Sequence, residues 1–520
     1  MGSGTPAAVG FIVGGIILVA SFALHFALPD ILADKVKDDL KVLDPTSKFY
    51  HTFRNTSATV DVYESYYIYD ILNVENVTKH GAAPVLELRG PYTYLLTKWR
   101  PEANISWRTD GTIHYTNLNS YHFQPALSNG TEADALTIPA LGVLGLIKHG
   151  LTLPNASDKI DFFLALSIAF LTADIDSVFT TRPVKEILFG YMDPVMSHLK
   201  QLLSSKPADA KLIHPWVALV DHPENQTSGK TISAVYSGGK ASPTQPQAPE
   251  GKANHMVMWT GYYKKLPFWG TDYANMINGT NGAGFSPGLK KGESIYAFVD
   301  TLFRSVLLHN NEQVELEGVP LSRYTLAEEN LEPGSVNPDN KAFFIEYRGL
   351  QPVPPSSSDP VWFTKPFLLD TDRSIFNVTF TNEIQGEAAR RAAYDTHLDV
   401  EPHTGQLCHV HKRMQINTKI GPIRFNNNTG SLINTLTLPD TYLPVLWADE
   451  HMRMPSHLLQ KIKGDVLAPL EAANYGGWGG IGLGFLIAII ASFLLYRYCQ
   501  SKPGDSDRYI SDDKLLNSGV

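Results

Sequence analysis

Two short stretches hold residue types that can perform chemistry. Gly284-Phe285-Ser286-Pro287-Gly288 has the G-x-S-x-G spacing of a nucleophile elbow, which presents a serine for acyl transfer. That reaction needs a backbone N–H from the residue after the serine, and Pro287 has none, so hydrolysis is not expected. His403, His409 and His411 lie close together, and the His-x-His pair shares one face if its segment is a strand, as zinc ligands can. The sequence offers no evident third and fourth ligand, so solvated strand histidines and no metal are the expectation. Cys408 has no evident base and reads as a small buried hydrophobe. No phosphate loop, dinucleotide fingerprint or kinase signature is present, and neither an enzyme nor a cofactor is expected.

Other residues address modification and traffic. Asn-x-Ser/Thr acceptors stand at Asn55, Asn76, Asn104, Asn129, Asn155, Asn225, Asn278, Asn377 and Asn427, more than chance provides, and point to a lumenal or extracellular region. Near the C-terminus, Asp512 followed by Leu515 and Leu516 resembles the acidic dileucine signals that trafficking adaptors read. Cys499 is a candidate for palmitoylation.

The elements that must position these residues begin with two apolar runs, 7–28 and 475–498, each near the ~20 residues a helix needs to cross a bilayer. No Lys or Arg precedes the first, which favours an uncleaved anchor. The second carries Trp478, Tyr496 and Tyr498 at its ends and is followed by Arg497 and Lys502, which places residues 499–520 in the cytoplasm; parity then puts residues 1–6 there too. All nine acceptors fall in the lumenal stretch 29–474. Across the whole chain, 520 residues with 43% hydrophobic side chains can bury a large core, and a formal net charge of −9 removes the electrostatic reason to expect nucleic acid. Between the spans, Val60–Tyr69, Ser233–Tyr236, Met256–Trp259 and Lys412–Thr418 read as strands of a β-rich body. Residues 237–252 and 351–360 read as exposed Pro-rich loops. Helical patterns occupy Leu141–Lys148, Asp158–Ala173 and Val184–Leu203. In the second, Phe162, Phe163, Leu164, Leu166, Ile168, Phe170 and Leu171 leave almost no polar face, so it is either a packed core helix or one whose apolar surface is used.

Motifs spread along nearly the whole chain resemble the class B scavenger receptors: Gly90-Pro91-Tyr92-Thr93-Tyr94, Phe189-Gly190-Tyr191 where that family has Trp-Gly-Tyr, Asn275-Met276-Ile277-Asn278, Phe303-Arg304-Ser305, Gly318-Val319-Pro320, Asp399-Val400-Glu401-Pro402, Lys412-Arg413-Met414-Gln415 and Pro444-Val445-Leu446-Trp447. The resemblance implies an α+β fold: a β-rich, irregular, antiparallel barrel-like lumenal body with a hydrophobic tunnel, an apical helical bundle over about 140–203, and two transmembrane helices. It also implies binding of lipids or lipid-carrying particles and passage of lipid toward the membrane, in lysosomal or endosomal membranes or alternatively the plasma membrane. A soluble protein ligand is the rival partner. Phe162, Phe163, Leu166 and Phe170 are the expected contacts at the apex. Two departures stand out. Ala274 and Phe303 occupy positions where the family has cysteines, so those bridges are not expected, and Asp174-Ile175-Asp176 is acidic where receptors for anionic lipoproteins are basic.

Overall fold

The computed structural model describes residues 5–39, 45–46, 50–55, 59–175, 177–205, 210–211, 213–220, 232–236, 252, 254–357, 359–426, 432–436 and 438–501. The chain divides into two units, one joining its ends (Met1–Lys37 with His457–Val520) and one formed by Asp38–Ser456.

The larger unit is built on one sheet of twelve strands: β1 Val62–Ile71, β2 Val85–Trp99, β3 Leu118–Phe123, β4 Ile295–Val299, β5 Arg304–Leu316, β6 Val319–Leu326, β7 Gln351–Pro352, β8 Val361–Thr364, β9 Thr379–Phe380, β10 His397–Glu401, β11 Gln406–Ile420 and β12 Thr441–Arg453. Their order is β4-β5-β6-β10-β11-β12-β1-β2-β9, with β3 on β2, β8 on β11 and β7 on β8. All of these pairs are antiparallel except β9 on β2, which is parallel. The edges β4 and β9 are not paired with each other, so among the described residues the expected barrel-like body is an open, branched sheet. Short edge strands such as the two-residue β9 are one way a sheet ends without inviting another chain.

Alternation explains why this sheet is covered on both faces. Along β1, Ile68 joins Tyr92, Leu136 and Ile187 in one cluster, whereas Tyr69 joins Phe367, Leu443 and Trp447 in another. A second sheet pairs Ser106–Trp107, Thr112–Thr116, Ile232–Tyr236, Met256–Trp259 and Tyr262–Tyr263 in that order. Residues 351–354 correct the loop expectation: Gln351 and Val353 are buried, and Gln351 Oε1 accepts from Arg304 Nη1 at 2.9 Å.

Two helices form an excursion between strands that pair with each other, Ala135–Pro139 and Phe179–Pro183, and two more follow the second strand; the Thr137 N–H donates to Asp70 on β1. In chain order these helices are α1 Leu141–Thr152, α2 Ala156–Thr172, α3 Val184–Phe189 and α4 Pro194–Leu202. The single helix expected over Val184–Leu203 is therefore two. Gly190 breaks it at φ 113°, where a Cβ would stand 2.5 Å from the Trp216 ring, and Asp193 restarts it by accepting the Met196 N–H ahead of Pro194.

In the smaller unit, Thr5–Val36 and Ser456–Gln500 are helices long and apolar enough to cross a membrane. They pack through small residues. A Cβ on Gly484 would meet Leu18 Cγ at 2.6 Å, and one on Gly10 would meet Ala491 Cβ at 2.9 Å.

Candidate functional site

Helix α2 decides how the helical excursion meets its surroundings. Its inner face is Phe162, Phe163, Leu166 and Ala169, all buried with residues of α1 and α4. The approach of α1 is set by Gly150, where a Cβ would stand 2.7 Å from the Phe162 ring. Phe162 and Phe163 meet edge to face, with ring centroids 5.8 Å apart. Phe170 is half-buried against the same core.

The outer face is also apolar. Leu164, Ile168 and Leu171 are 60%, 41% and 81% exposed and stand at i, i+4 and i+7, one stripe of a 3.6-residue helix. Three of the four expected contact residues, Phe162, Phe163 and Leu166, thus fill the core, because they lie on the face that packs against α1 and α4. The exposed surface belongs instead to aliphatic residues between them, for which the spacing of 164, 168 and 171 is the available sequence signal. A stripe of this kind can hold an acyl chain or sterol ring by apolar contact, at about 1.5–3 kcal/mol per fully covered aliphatic side chain. Asp174 follows it in a left-handed turn at φ 54°.

The remaining candidates are dispersed. Of the nine acceptors, Asn76, Asn104, Asn129, Asn155 and Asn377 are exposed, and Asn55 and Asn278 are half-buried. Asn225, Asn427, Asp512, Leu515 and Leu516 lie outside the described residues. Cys499 is exposed and Cys408 buried, both as free thiols; burial pushes the Cys408 thiol up to about 12, the wrong direction for a nucleophile. Ser286 is 8% exposed in a segment whose Phe285 N–H donates to Gly405 O, which leaves no open elbow. His403 stands apart from His409 and His411: its Nδ1 is 2.7 Å from Glu401, and that hydrogen bond raises its pKa.

Where cysteines are absent, aromatic burial stands in. Ala274, Trp269, Phe343 and Ile345 form one cluster against Phe303 and Phe268, and Trp269 Nε1 donates to Phe303 O at 2.8 Å. Arg304 lies 3.4 Å from the Phe343 ring centre, its pKa pushed down to about 9 by burial. The cavity beside it, lined by Tyr273, Asn278, Asn330 and Phe343, measures about 70 Å³, room for water-sized groups and not for an acyl chain.

A family model described as the CD36 family matches residues 12–495. The chain is similar to scavenger receptor class B member 1 of Mus musculus, 26% identical over 492 residues that cover 92% of this chain and 89% of that protein. It is also similar to lysosome membrane protein 2 of Homo sapiens, 27% identical over 390 residues and 74% of each chain.

Proposed function

The chain belongs to the CD36 family, and from that premise we propose that it is a two-pass membrane glycoprotein that takes hydrophobic lipids at α2 and passes them through the sheet-rich body toward the bilayer. The reading places residues 29–474 in the lumen, with 1–6 and 499–520 in the cytoplasm. A relative named as a lysosome membrane protein supports lysosomal or endosomal membranes, and a relative named as a scavenger receptor supports the plasma membrane as the alternative. Fatty acids, sterols and phospholipids are the ligand class, and trafficking adaptors at the tail are the cytoplasmic partners.

The observation that carries the reading is the stripe Leu164, Ile168 and Leu171, apolar surface that no element among the described residues covers, on a helix whose other face is already packed. An internal passage lined by apolar side chains would shelter an acyl chain at about 0.8 kcal/mol per buried CH₂. The test is photolabelling of the full chain in detergent with a clickable, photoactivatable fatty acid and a matching sterol. Label should map to residues 160–175 and fall at least fivefold in Leu164→Asp with Leu171→Asp. Unchanged labelling in that double variant would overturn the entry site. Co-purification of a stoichiometric soluble protein without lipid would favour a receptor that delivers a protein.

A further inference from the structure

Three adjacent strands bring together histidines that are far apart in the sequence. The register sets His397 on β10 opposite His411 on β11, and His411 opposite His451 on β12. His409 shares the His411 face two residues earlier. The rings of His397, His409 and His411 form a triangle with centroids 5.1, 5.2 and 5.3 Å apart. One ring nitrogen from each lies within 4.8 Å of the other two. His403, expected beside them, is replaced by His397.

We propose that His397, His409 and His411 bind one divalent cation of intermediate softness, with zinc the best match, on the half-exposed end of this sheet face. Zinc takes imidazole nitrogens at ~2.0–2.1 Å, so ligand atoms on a tetrahedral ion lie about 3.3 Å apart. Small rotations of half-exposed rings close the remaining gap. The fourth position is left to water or an incoming ligand.

The surroundings support an ion rather than three idle imidazoles. His409 Nδ1 is 3.2 Å from Asp399 Oδ2, and His411 Nδ1 is 2.8 Å from Asp449 Oδ2. Each contact engages Nδ1, so the ring nitrogen left for a ligand on both histidines is Nε2. Carboxylates that orient metal-binding imidazoles in this way are the usual outer layer of zinc sites. The carboxylates are themselves fixed, Asp399 by a two-pronged bond from Arg323 at 2.7 and 2.8 Å and Asp449 by Arg413 Nε at 3.0 Å. Among the described residues, His397 Nε2 is buried with no hydrogen-bond partner. A coordinated ion would satisfy it. The alternative trio of His411, Asp449 and His451 leaves Asp449 Oδ1 buried without a partner among the described residues, but it is weaker in its imidazoles: His451 Nδ1 lies 3.2 Å from Asp449 O, and its ring stacks on Tyr63 with centroids 5.8 Å apart.

The proposal is independent of the lipid reading. Untagged full-length protein in detergent, stripped with chelator and dialysed against Zn²⁺, should retain one zinc per chain by elemental analysis. His397→Ala and His411→Ala should each weaken binding by about 100-fold or more. Asp399→Asn should weaken it about 10- to 100-fold, as expected for an outer-layer partner. His403→Ala should stay within about twofold of wild type. Co²⁺ bound to the wild-type protein should give the intense visible bands of a four-coordinate site, a readout that needs no variant to fold. No stoichiometric zinc, octahedral Co²⁺ bands, or unchanged affinity in His397→Ala with a wild-type metal-free Tm would each overturn it.

Discussion

Glu64 shows how one side chain ties stability to pH. Its register partner on β12 is another acid, Glu450, and Lys98 from β2 and Lys412 from β11 complete the group, with the Tyr66 hydroxyl beside it. Burial, then repulsion from Glu450, pushes the Glu64 carboxyl up to about 7 against the pull of the lysines. Glu450 is held far below the usual range, because Lys412 and Lys98 together outweigh its burial. Between pH 4.5 and about 7 the folded chain keeps a proton on Glu64 that the unfolded chain releases. Acidification through that window therefore stabilises the fold through this group, and above it the charged form is a liability. Glu64→Gln should raise Tm relative to wild type at pH 8 and leave it nearly unchanged at pH 5, followed by intrinsic fluorescence. Equal shifts at both pH values would show that charge on Glu64 is not the cause. A different residue tests the aromatic cluster. Phe343 is 3% exposed, packs on Trp269 at 5.2 Å and carries the Arg304 guanidinium on its face. Phe343→Ala should cost about 3–5 kcal/mol of unfolding free energy in urea, and a loss below about 1 kcal/mol would mean that the cluster does not replace cross-links.

At the scale of elements, α2 separates two roles along one helix. Its inner face is core, so Phe163→Ala should destabilise by about 3–5 kcal/mol, whereas Leu171→Asp at 81% exposure should stay within about 0.5 kcal/mol. Thermal melts of the two proteins side by side decide it; a large loss in Leu171→Asp would mean that this face is covered. The same helix shows what was legible in the sequence. Its existence and ends follow from periodicity, and Val60–Tyr69 was plain from its Val, Ile and Tyr content. Which apolar residues face inward on a helix greasy all round depends on neighbours that periodicity does not name. The split at Gly190 turns on one φ angle and the Trp216 ring behind it. The histidine triangle was hidden for a third reason, since the pairing of β10 with β11 sets residue 397 opposite 411 across a hairpin. His-x-His gave two ligands; only pairing gave the third.

At the scale of the molecule, a chain whose two ends form one unit around a large insertion depends on how firmly those ends hold together. In lipid there is no hydrophobic drive between two apolar helices, so close backbone contact through small residues must supply the attraction. Ala7, Gly14 and Ser21, one heptad apart, are the buried positions of Thr5–Phe22, and on the other span Gly480 and Gly484 face Ser21 and Leu18. At the far end of the seam His25 packs on Trp478 with ring centroids 4.6 Å apart. Held this way, the spans fix both ends of the intervening body and remove chain entropy that a single anchor would leave. Gly10→Cys with Ala491→Cys, in a Cys499→Ser background, should therefore cross-link on mild oxidation and keep the two spans joined after proteolysis of the body. Adding Gly484→Leu should abolish that product, because a side chain there must displace Leu18 and part the helices by more than the reach of a disulfide, whose Cβ atoms sit about 3.5–4.5 Å apart. A cross-link that forms equally with leucine at 484 would show that the spans are held by something other than this seam.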